Sequence, residues 1–350
     1  MKILQVIDTL NIGGAERMLV TLANLQKRNG LEVGVVILVE DGDLVQDLDD
    51  GIPIFRLERK KRFEKGKMKR FSEILKNFDI VHTHLKHNYR YTSLTMKCFF
   101  IRTPKLVFHD HSHTLRNSKA SLKSIKDGLF KNVLRPPFYI GVSEENCGWA
   151  HLSLGMKKEC CFLLENVIEK TQVKNENEER EGIVIVSNVS PIKNLRFAIE
   201  LIHQLNEDLT IYGRIIDAVY FAELVELIER LQLEENVKWV HDCHAIQKEV
   251  HKFKFALHTS LKETGPLVLI EYLAQSLPFV STSTGQVFQM IGKELPEFFI
   301  DSDSLEDWKI KIQGLQDVET NRIEQTYRTH FDIKIYYKKC LGIYQDILNF

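Results

Sequence analysis

The segment that decides the fold is residues 2–28, which read KILQVIDTLNIGGAERMLVTLANLQKR. Lys2–Ile7 is a short apolar run, typical of a strand buried on both faces of a parallel sheet. Gly13 and Gly14 follow it, and from Ala15 to Arg28 apolar residues recur at helical spacing. A buried strand, a glycine turn and a helix in this order indicate the first unit of an α/β fold.

The same alternation continues along the chain. Strands are predicted at 32–39, 53–57, 79–82, 105–108 and 138–142, and after a second start at 182–187, 209–212, 237–240, 255–257 and 279–281. Helices are predicted at 195–205, 218–231, 268–275 and 331–350. Between the two series lies 169–181, which is charged, nearly free of apolar residues and interpreted as a linker or exposed loop.

This pattern predicts two doubly wound parallel-sheet domains, 1–165 and 166–330, whose functional loops face a cleft. A length of 350 residues agrees with two domains at roughly 100–200 residues each. With 44% hydrophobic and 27% charged residues, the composition excludes a disordered chain. The net charge of −1 argues against a dedicated nucleic-acid binder.

The small net charge conceals two different halves. Up to Glu165 there are 27 Lys and Arg against 19 Asp and Glu, whereas from Asn166 onward there are 20 against 29. The amino-terminal half also contains the run Arg56–Arg70, with nine cations and two anions. Such a run is either a solvated surface or a contact with anionic lipid, in which Phe63 and Met68 would enter the membrane interface. Both interpretations are open at this stage.

The six cysteines form no C-x-x-C pair, and free thiols are expected in a reducing cytoplasm. The first residues do not read as a signal peptide, and no stretch approaches the roughly 20 apolar residues that cross a bilayer. We therefore expect a cytoplasmic protein whose membrane contact, at the inner face, would be peripheral.

The segment most informative about chemistry is Lys262–Gln275, KETGPLVLIEYLAQ, in which Glu263 and Glu271 are eight residues apart. The tripeptide 264–266 should open a helix, with Pro266 in the first turn. Free N–H groups at a helix start suit a phosphate, and a carboxylate two turns on can accept hydrogen bonds from a ribose diol. An ordinary amphipathic helix with a surface Glu271 fits the spacing equally well.

Lys262–Gln275 resembles the E-x7-E element of retaining glycosyltransferases with the GT-B fold, the nucleotide-sugar group called family 4. Further segments resemble elements of that family in the same order: Asp8–Arg17, Asp79–His84 (DIVHTH), Phe108–Asp110, Val142-Ser143, Asn166–Glu169, Val186–Asn194 (VSNVSPIKN) and Leu277–Thr282. The matches cover about the whole chain, and the resemblance implies that the last helix, at about 331–350, crosses back to pack on the first domain.

The resemblance implies roles for individual residues. Glu271 would bind the nucleotide ribose, Lys193 would neutralise the leaving diphosphate, and His109 would lie near the anomeric centre. The donor-binding set would be Gly13, Gly14, Lys193, Glu263, Thr264, Gly265, Pro266, Leu267 and Glu271, and the catalytic set His109, Glu263 and Lys193. The two glycines would let the backbone approach the phosphates closely, because they have no Cβ. The family uses no metal and retains the anomeric configuration.

The phosphate-binding segment departs from the family pattern. Asn188 stands where the family has an arginine, and Ser187 stands where it has a glycine. Asn188 is kept in the donor-binding set, although one expected cation is missing. We hypothesise that Arg214, expected in a neighbouring strand-end loop, supplies the second positive charge.

The clustered histidines invite a metal interpretation. His82, His84, His109, His111 and His113, with Asp110, fall at or near two strand ends. Their spacing matches no zinc pattern, so we expect no metal; the histidines would line the cleft or pack as satisfied core.

Together these features predict a transfer of sugar from a nucleoside diphosphate donor to a glycan or lipid-linked acceptor, with retention. The pathway would be capsule, exopolysaccharide or O-antigen synthesis, with acceptor bound by the amino-terminal half and donor by the carboxyl-terminal half. Two alternatives are open: a catalytically weak GT-B-like nucleotide-sugar-binding or partner protein, and a sugar-nucleotide epimerase. No G-x-G-x-x-G follows the first strand, which disfavours a nicotinamide enzyme.

Overall fold

The computed structural model describes residues 1–61, 63–111, 135–173, 180–241, 243 and 245–350. The chain divides into two compact units. The amino-terminal unit comprises Met1–Asn166 and Ile333–Phe350, and the carboxyl-terminal unit comprises Val167–Asp332.

The amino-terminal unit contains a seven-stranded parallel sheet. Its strands are β1 (Lys2–Thr9), β2 (Glu32–Glu40), β3 (Ile54–Arg56), β4 (Ile80–His84), β5 (Lys105–Asp110), β6 (Phe138–Gly141) and β7 (Cys161–Leu163), in the order β3-β2-β1-β4-β5-β6-β7. Its helices are α1 (Gly14–Arg28), α2 (Lys65–Leu75), α3 (Lys86–Cys98) and α4 (Glu144–Leu154). Ser143 caps α4, because its Oγ accepts a hydrogen bond from the backbone N–H of Asn146.

The carboxyl-terminal unit contains a six-stranded parallel sheet. Its strands are β8 (Ile183–Val186), β9 (Leu209–Tyr212), β10 (Val237–Val240), β11 (Phe255–His258), β12 (Phe279–Thr282) and β13 (Phe299–Ile300), in the order β10-β9-β8-β11-β12-β13. Its helices are α5 (Leu195–Leu205), α6 (Ala218–Arg230), α7 (Gln247–Val250), α8 (Leu267–Ala274), α9 (Gly285–Ile291), α10 (Leu305–Gln313) and α11 (Thr320–His330). A last helix, α12 (Ile333–Asn349), belongs to the amino-terminal unit.

Both sheets have the doubly wound topology that the strand–helix alternation predicts, and the predicted α/β fold class is confirmed. In each sheet the strand order reverses once, between β1 and β4 and between β8 and β11. Ligands of such sheets bind beyond the carboxyl ends of the strands at this reversal. The loops after β8 and β11 therefore lie where a ligand of the carboxyl-terminal sheet is expected to bind.

Two local expectations need correction. Met68 is 7% exposed and packs with Phe71 and Leu75 in the core, so it cannot enter a membrane interface, although Phe63 is exposed. The helix of the E-x7-E segment begins at Leu267, which places Pro266 just before the helix and not in its first turn. The described part of 169–181 has exposed and half-buried side chains, as expected of an exposed loop, and it is attached to the carboxyl-terminal unit by Gln247, which bonds to both Glu169 and Thr171.

Among the described residues, no helix is long and apolar enough to cross a bilayer.

Candidate functional site

The loops that follow β8 and β11 lie side by side in the carboxyl-terminal unit. The Thr259 hydroxyl donates to the carbonyl oxygen of Lys193 at 3.0 Å, and the Leu261 N–H donates to that of Ile192 at 2.9 Å. These bonds join two segments that the sequence places about 70 residues apart. They bring Lys193 to the start of the E-x7-E segment.

Lys193, Glu263 and His258 form a charged cluster at this junction. Lys193 Nζ donates to Glu263 Oε1 at 2.6 Å, and His258 Nε2 lies 3.2 Å from the same oxygen. The other ring nitrogen of His258 is 2.9 Å from Ser281 Oγ, which orients the imidazole. The Glu263 side chain is 3% exposed, whereas Lys193 keeps 22% of its surface accessible. Glu263 is therefore the fixed partner, and Lys193 is the member that a bound anion can reach.

Burial raises the pKa of the Glu263 carboxyl, but the hydrogen bond with His258 and the positive charge of Lys193 act against burial and outweigh it. The net result is a pKa below the ordinary 4.5, so this buried carboxylate is ionised at neutral pH.

The backbone of 263–267 is clamped from the neighbouring loop. The Thr284 hydroxyl accepts from the N–H of Glu263 at 3.1 Å, and the N–H of Gln286 donates to the carbonyl of Thr264 at 2.6 Å. Between them Gly285 has φ +82°, and a Cβ there would lie 3.0 Å from Glu263 Cβ and 3.1 Å from Pro266 Cδ. Only glycine fits without displacing the loop.

Helix α8 carries the second acidic residue of the motif. Glu271 is its fifth residue, one turn after Leu267, and is 4% exposed. It therefore lies on the same helix face as Leu267, since residues four apart share a face. Because Glu271 is buried, the alternative interpretation of it as an ordinary surface glutamate, which the spacing alone allows, is excluded.

The loop that contains Asn188 lies beside the loop that contains Arg214. Asn188 Oδ1 accepts from the N–H of Arg214 at 3.1 Å, and the N–H of Val189 donates to the carbonyl of Arg214 at 2.8 Å. A Cβ on Gly213 would lie 2.1 Å from the carbonyl oxygen of Ser187, so the close approach of the loops requires glycine. This is the neighbour relationship that the Arg214 hypothesis assumed.

Gly13, Gly14 and His109 belong to the amino-terminal unit. Gly13 is the extended residue that precedes α1, and Gly14 is the first residue of that helix. The nearest atoms to a Cβ on Gly13 would be those of the Glu16 carboxylate, at the flexible end of that side chain. The conformation of Gly13 does not itself demand glycine, because its φ is −164°.

An acidic group that the sequence analysis passed over lies at the end of β1. Asp8 accepts from His87 Nε2 at 2.8 Å and from Asn88 Nδ2 at 3.1 Å. Burial raises the pKa of Asp8, but these hydrogen bonds prevail and bring it to about 2. Nearby Glu16 has a raised pKa, mainly through burial and also through the charge of Asp8. The sequence signal that could have identified Asp8 was its position at the end of a strand, before the pair of glycines.

Four of the five histidines of the predicted cluster come together in the amino-terminal unit; His113 lies outside the described residues. His82 and His84 are on β4, and His109 and His111 are at the end of β5. His82 Nε2 is 3.0 Å from His109 Nδ1, and His84 Nδ1 is 2.9 Å from His111 Nε2. His82 and His84 are satisfied at both ring nitrogens, whereas His109 Nε2 and His111 Nδ1 have no hydrogen-bond partner among the described residues, so the interpretation as satisfied core holds for His82 and His84 alone among the four.

A nitrogen from each of His82, His84 and His109 lies within 4.8 Å of the others, a spacing that a metal ion can use. Both ring nitrogens of His82 and of His84 already have hydrogen-bond partners. A metal would have to break this network, and the absence of a metal remains a prediction.

A cavity of about 930 Å³ in the carboxyl-terminal unit lies elsewhere, lined by Arg180, Lys254 and Gln275 among others. None of the predicted site residues lines it. We locate the candidate site by the strand-order reversal and the charged cluster, because catalytic chemistry follows these features more closely than cavity size.

His258, Thr284 and Gly285 are site residues that sequence reasoning missed. His258 is the last residue of β11, where the fold places functional side chains. Gly285 follows a strand by three residues, a position at which glycine signals a special backbone conformation.

Two family models match this chain. Residues 166–328 match the family model of glycosyl transferases group 1, and residues 12–145 match that of glycosyltransferase family 4. Together the two matches cover most of both units. The fold and these two matches define a GT-B protein, and the chain belongs to the family 4-like glycosyltransferases of group 1.

Solved structures of the same fold extend over nearly the whole chain. The HepE structure of Anabaena in complex with UDP has a TM-score of 0.80 at 18% identity, covering 99% of this chain and 100% of HepE. A glycosyltransferase from Rickettsia africae has a TM-score of 0.79 at 17% identity, covering 99% and 98%. The lipopolysaccharide outer core galactosyltransferase WaaB has 0.69 at 15%, covering 99% of each chain. No curated protein matched the chain.

Proposed function

We propose that this protein transfers a sugar from a nucleoside diphosphate sugar to a glycan or lipid-linked acceptor, with retention of the anomeric configuration. The observation that carries the proposal is the Lys193–Glu263–His258 cluster, which lies at the strand-order reversal and directly before α8. The cluster combines an accessible cation with a fixed carboxylate, the pair of groups that a diphosphate leaving group and a sugar hydroxyl require.

The donor is proposed to bind the carboxyl-terminal unit. Glu271 would accept hydrogen bonds from the ribose diol, and the backbone of 264–267 would contact the phosphates at the start of α8. HepE has been solved with UDP and with UDP-glucose, and TarM of S. aureus with UDP. A UDP-sugar is therefore the first donor to test.

In the transfer step, the bond between the anomeric carbon and the diphosphate oxygen breaks, and the acceptor oxygen bonds to the same face of that carbon. Negative charge grows on the departing diphosphate, which Lys193 and Arg214 would stabilise. The acceptor proton passes to a phosphate oxygen of the leaving group. Glu263 would hold the donor sugar and keep the Lys193 ammonium in place, and His109 would contact the sugar. No metal takes part in this scheme.

The acceptor is proposed to bind the amino-terminal unit, and the product to enter a surface polysaccharide such as capsule, exopolysaccharide or O-antigen. The positive balance of this half and the run Arg56–Arg70 support a peripheral contact with the anionic inner face of a membrane. Part of the run is otherwise engaged, since Arg56 pairs with Asp41 and Arg59 lies over the Tyr91 ring.

One observation favours a second candidate, a nucleotide-sugar-binding or partner protein without strong turnover. Asn188 replaces a phosphate-binding arginine, and its side chain is committed to the backbone of Arg214. Turnover of any activated sugar with a saccharide acceptor would exclude this candidate.

The proposal is tested by thermal unfolding of the full chain in the presence of UDP-, GDP- and other nucleotide sugars. A ligand at 100 times its dissociation constant adds about 2.7 kcal/mol to the free energy of unfolding. We expect one class of donor to raise the melting temperature and Glu271→Ala to abolish the rise. Glu226→Ala, an exposed change on α6, is the matched control. A full shift in Glu271→Ala would refute the ribose assignment.

A further inference from the structure

The four clustered histidines belong to one longer hydrogen-bond chain that runs through three other side chains. In spatial order its members are His111, His84, Gln5, Gln26, Tyr344, His82 and His109. All seven lie in the amino-terminal unit, and Tyr344 is contributed by the last helix, α12. The chain thus connects the first strand, the first helix and the last helix to two strand ends.

Each link is short enough for a hydrogen bond. His84 Nε2 lies 2.8 Å from Gln5 Oε1, and Gln5 Nε2 donates to Gln26 Oε1 at 3.0 Å. Gln26 Nε2 donates to the Tyr344 hydroxyl at 3.1 Å. That hydroxyl is 2.6 Å from His82 Nδ1. Each link is a direct contact between side chains; His82, His84, His109 and both glutamines are buried, and His111 is half-buried.

The two amides give the chain a direction. His84 must donate to the Gln5 carbonyl oxygen, so its proton is on Nε2 and its Nδ1 accepts from His111 Nε2. At the other end Tyr344 accepts from Gln26 and passes its own proton to His82 Nδ1. His82 then carries its proton on Nε2 and donates to His109 Nδ1, which leaves the His109 proton on Nε2. All four rings are therefore Nε2–H tautomers.

The histidines are neutral, as this reasoning requires. Burial lowers the pKa of His82 to about 3 and that of His111 to about 4. Burial also lowers the pKa values of His84 and His109 well below the ordinary value, with a smaller contribution from the charges of neighbouring histidines. A neutral imidazole has one donor and one acceptor, so each can pass on only one hydrogen bond.

The free ends of the chain are on two imidazole rings that lie against each other. His109 Nε2 and His111 Nδ1 are buried and have no hydrogen-bond partner among the described residues, and the two ring centroids are 4.0 Å apart. By the direction of the chain, His109 presents an N–H donor and His111 presents a lone pair. Reversing the whole chain would exchange the two roles, so the ends always complement each other.

We propose that Tyr344 is a positioning residue, which acts through Gln26 and His82 to make His109 and His111 a matched donor–acceptor pair for one hydroxyl group. A hydroxyl is the smallest group that accepts one hydrogen bond and donates another. That hydroxyl comes from a buried water or from the sugar. The catalytic importance of the pair rests on the proposed function, but the tautomers do not.

The test is nitrogen NMR of the full chain labelled with ¹⁵N-histidine, without donor, at neutral pH, with each signal assigned by single histidine substitution. We expect Nε2–H tautomers for His82, His84, His109 and His111. A uniform set of Nδ1–H forms would correspond to the reversed chain and would also support the matched pair, whereas a mixture of tautomers among the four would overturn the inference even if the protein proved to be an active glycosyltransferase.

The variant Tyr344→Phe removes the link to His82. We expect His82 and His109 to become tautomer mixtures, whereas His84 and His111 keep their Nε2–H forms because Gln5 still accepts from His84.

The control is Tyr336→Phe on the same helix, since the Tyr336 hydroxyl is buried with no partner among the described residues. Gln26→Met breaks the next link and serves if Tyr344→Phe does not fold. Unchanged signals for His82 and His109 in the folded variant would refute the positioning role.

The two sources of the hydroxyl are separated by a crystal structure of the protein without donor. A water oxygen within hydrogen-bond distance of both nitrogens identifies water as the resting occupant, and a site free of water supports the sugar. Capping of both nitrogens by protein groups would overturn the hydroxyl assignment.

Discussion

Lys193 donates a 2.6 Å hydrogen bond to Glu263, a residue 70 positions away, and so joins the phosphate-binding loop to the E-x7-E segment. The carboxylate is almost fully buried and the ammonium is not. The pair therefore has two functions, which substitutions can separate. It stabilises the fold around a buried charge, and it offers a cation to an anionic ligand.

Replacing Lys193 tests both functions. Lys193→Met should lower the turnover number by about 10²–10³, as the loss of one group that stabilises developing charge does. It should also reduce the free energy of unfolding by about 1–3 kcal/mol, because Glu263 loses a buried partner. The double variant Lys193→Met/Glu263→Gln should regain stability without regaining activity. Activity is measured as donor turnover and stability by urea unfolding. Recovery of activity in the double variant would contradict a catalytic role for Lys193.

The Glu263 carboxyl should make stability depend on pH. Its pKa in the folded protein is below the ordinary 4.5, so its contribution is complete above pH 4.5 and is lost as the pH falls below that value. Urea unfolding between pH 7 and pH 3 should show a smaller loss of stability in Glu263→Gln than in the parent protein. Equal losses of stability in both proteins would mean that the Lys193–Glu263 pair does not lower the pKa of the Glu263 carboxyl.

Gly285→Ala should displace the loop that carries Glu263. The φ of +82° and the 3.0 Å approach to Glu263 Cβ both oppose a side chain, and such a change costs about 1–3 kcal/mol. Donor affinity should fall as well, which a titration by calorimetry would measure. Gly30→Ala is the matched control, because Gly30 has φ +80° with no atom within 4 Å of the added Cβ. Gly30→Ala shares the backbone strain of Gly285→Ala but not its contact with Glu263. A loss of donor affinity in Gly30→Ala would therefore refute the argument from that contact.

Arg214→Ala should weaken donor binding if Arg214 replaces the cation missing at Asn188. A hydrogen bond to a charged group contributes about 1.5–3 kcal/mol, which corresponds to roughly 10- to 100-fold in affinity. Arg230→Ala, at the exposed end of α6, is the control. Unchanged affinity and turnover in Arg214→Ala would leave Lys193 as the sole proposed cation at the phosphates.

Membrane contact through the basic run should depend on charge. Reversal of Lys60, Lys61 and Lys65 to glutamate should remove binding to vesicles containing phosphatidylserine, at about 1 kcal/mol per basic residue, and salt should weaken the binding of the parent protein. Reversal of Lys157 and Lys158, exposed on the same unit, is the control. Equal co-sedimentation of all three proteins would exclude the run as the contact surface.

The regular elements could be predicted because their signal is local. The bounds of α5, β9 and β10 follow from the sequence, since apolar periodicity and turn residues suffice to define them. Met68 was misjudged for the opposite reason: in a basic segment its neighbours in sequence are polar, and only the packing of α2 on the sheet shows that it is core. Short edge strands such as β13 lack enough residues to give a pattern.

By itself, the sequence determined the α/β class, the two halves of opposite charge, and the family resemblance carried by the E-x7-E segment. Only the tertiary structure decided that Lys193 and His258 share the Glu263 carboxylate, that Asn188 holds the backbone of Arg214, and that Tyr344 is linked to His82. These relationships join residues from different loops and strands, and each depends on sub-ångström placement and burial. Periodicity specifies which face a residue lies on, whereas the hydrogen-bond partner of a buried polar group is specified only when the chain has folded.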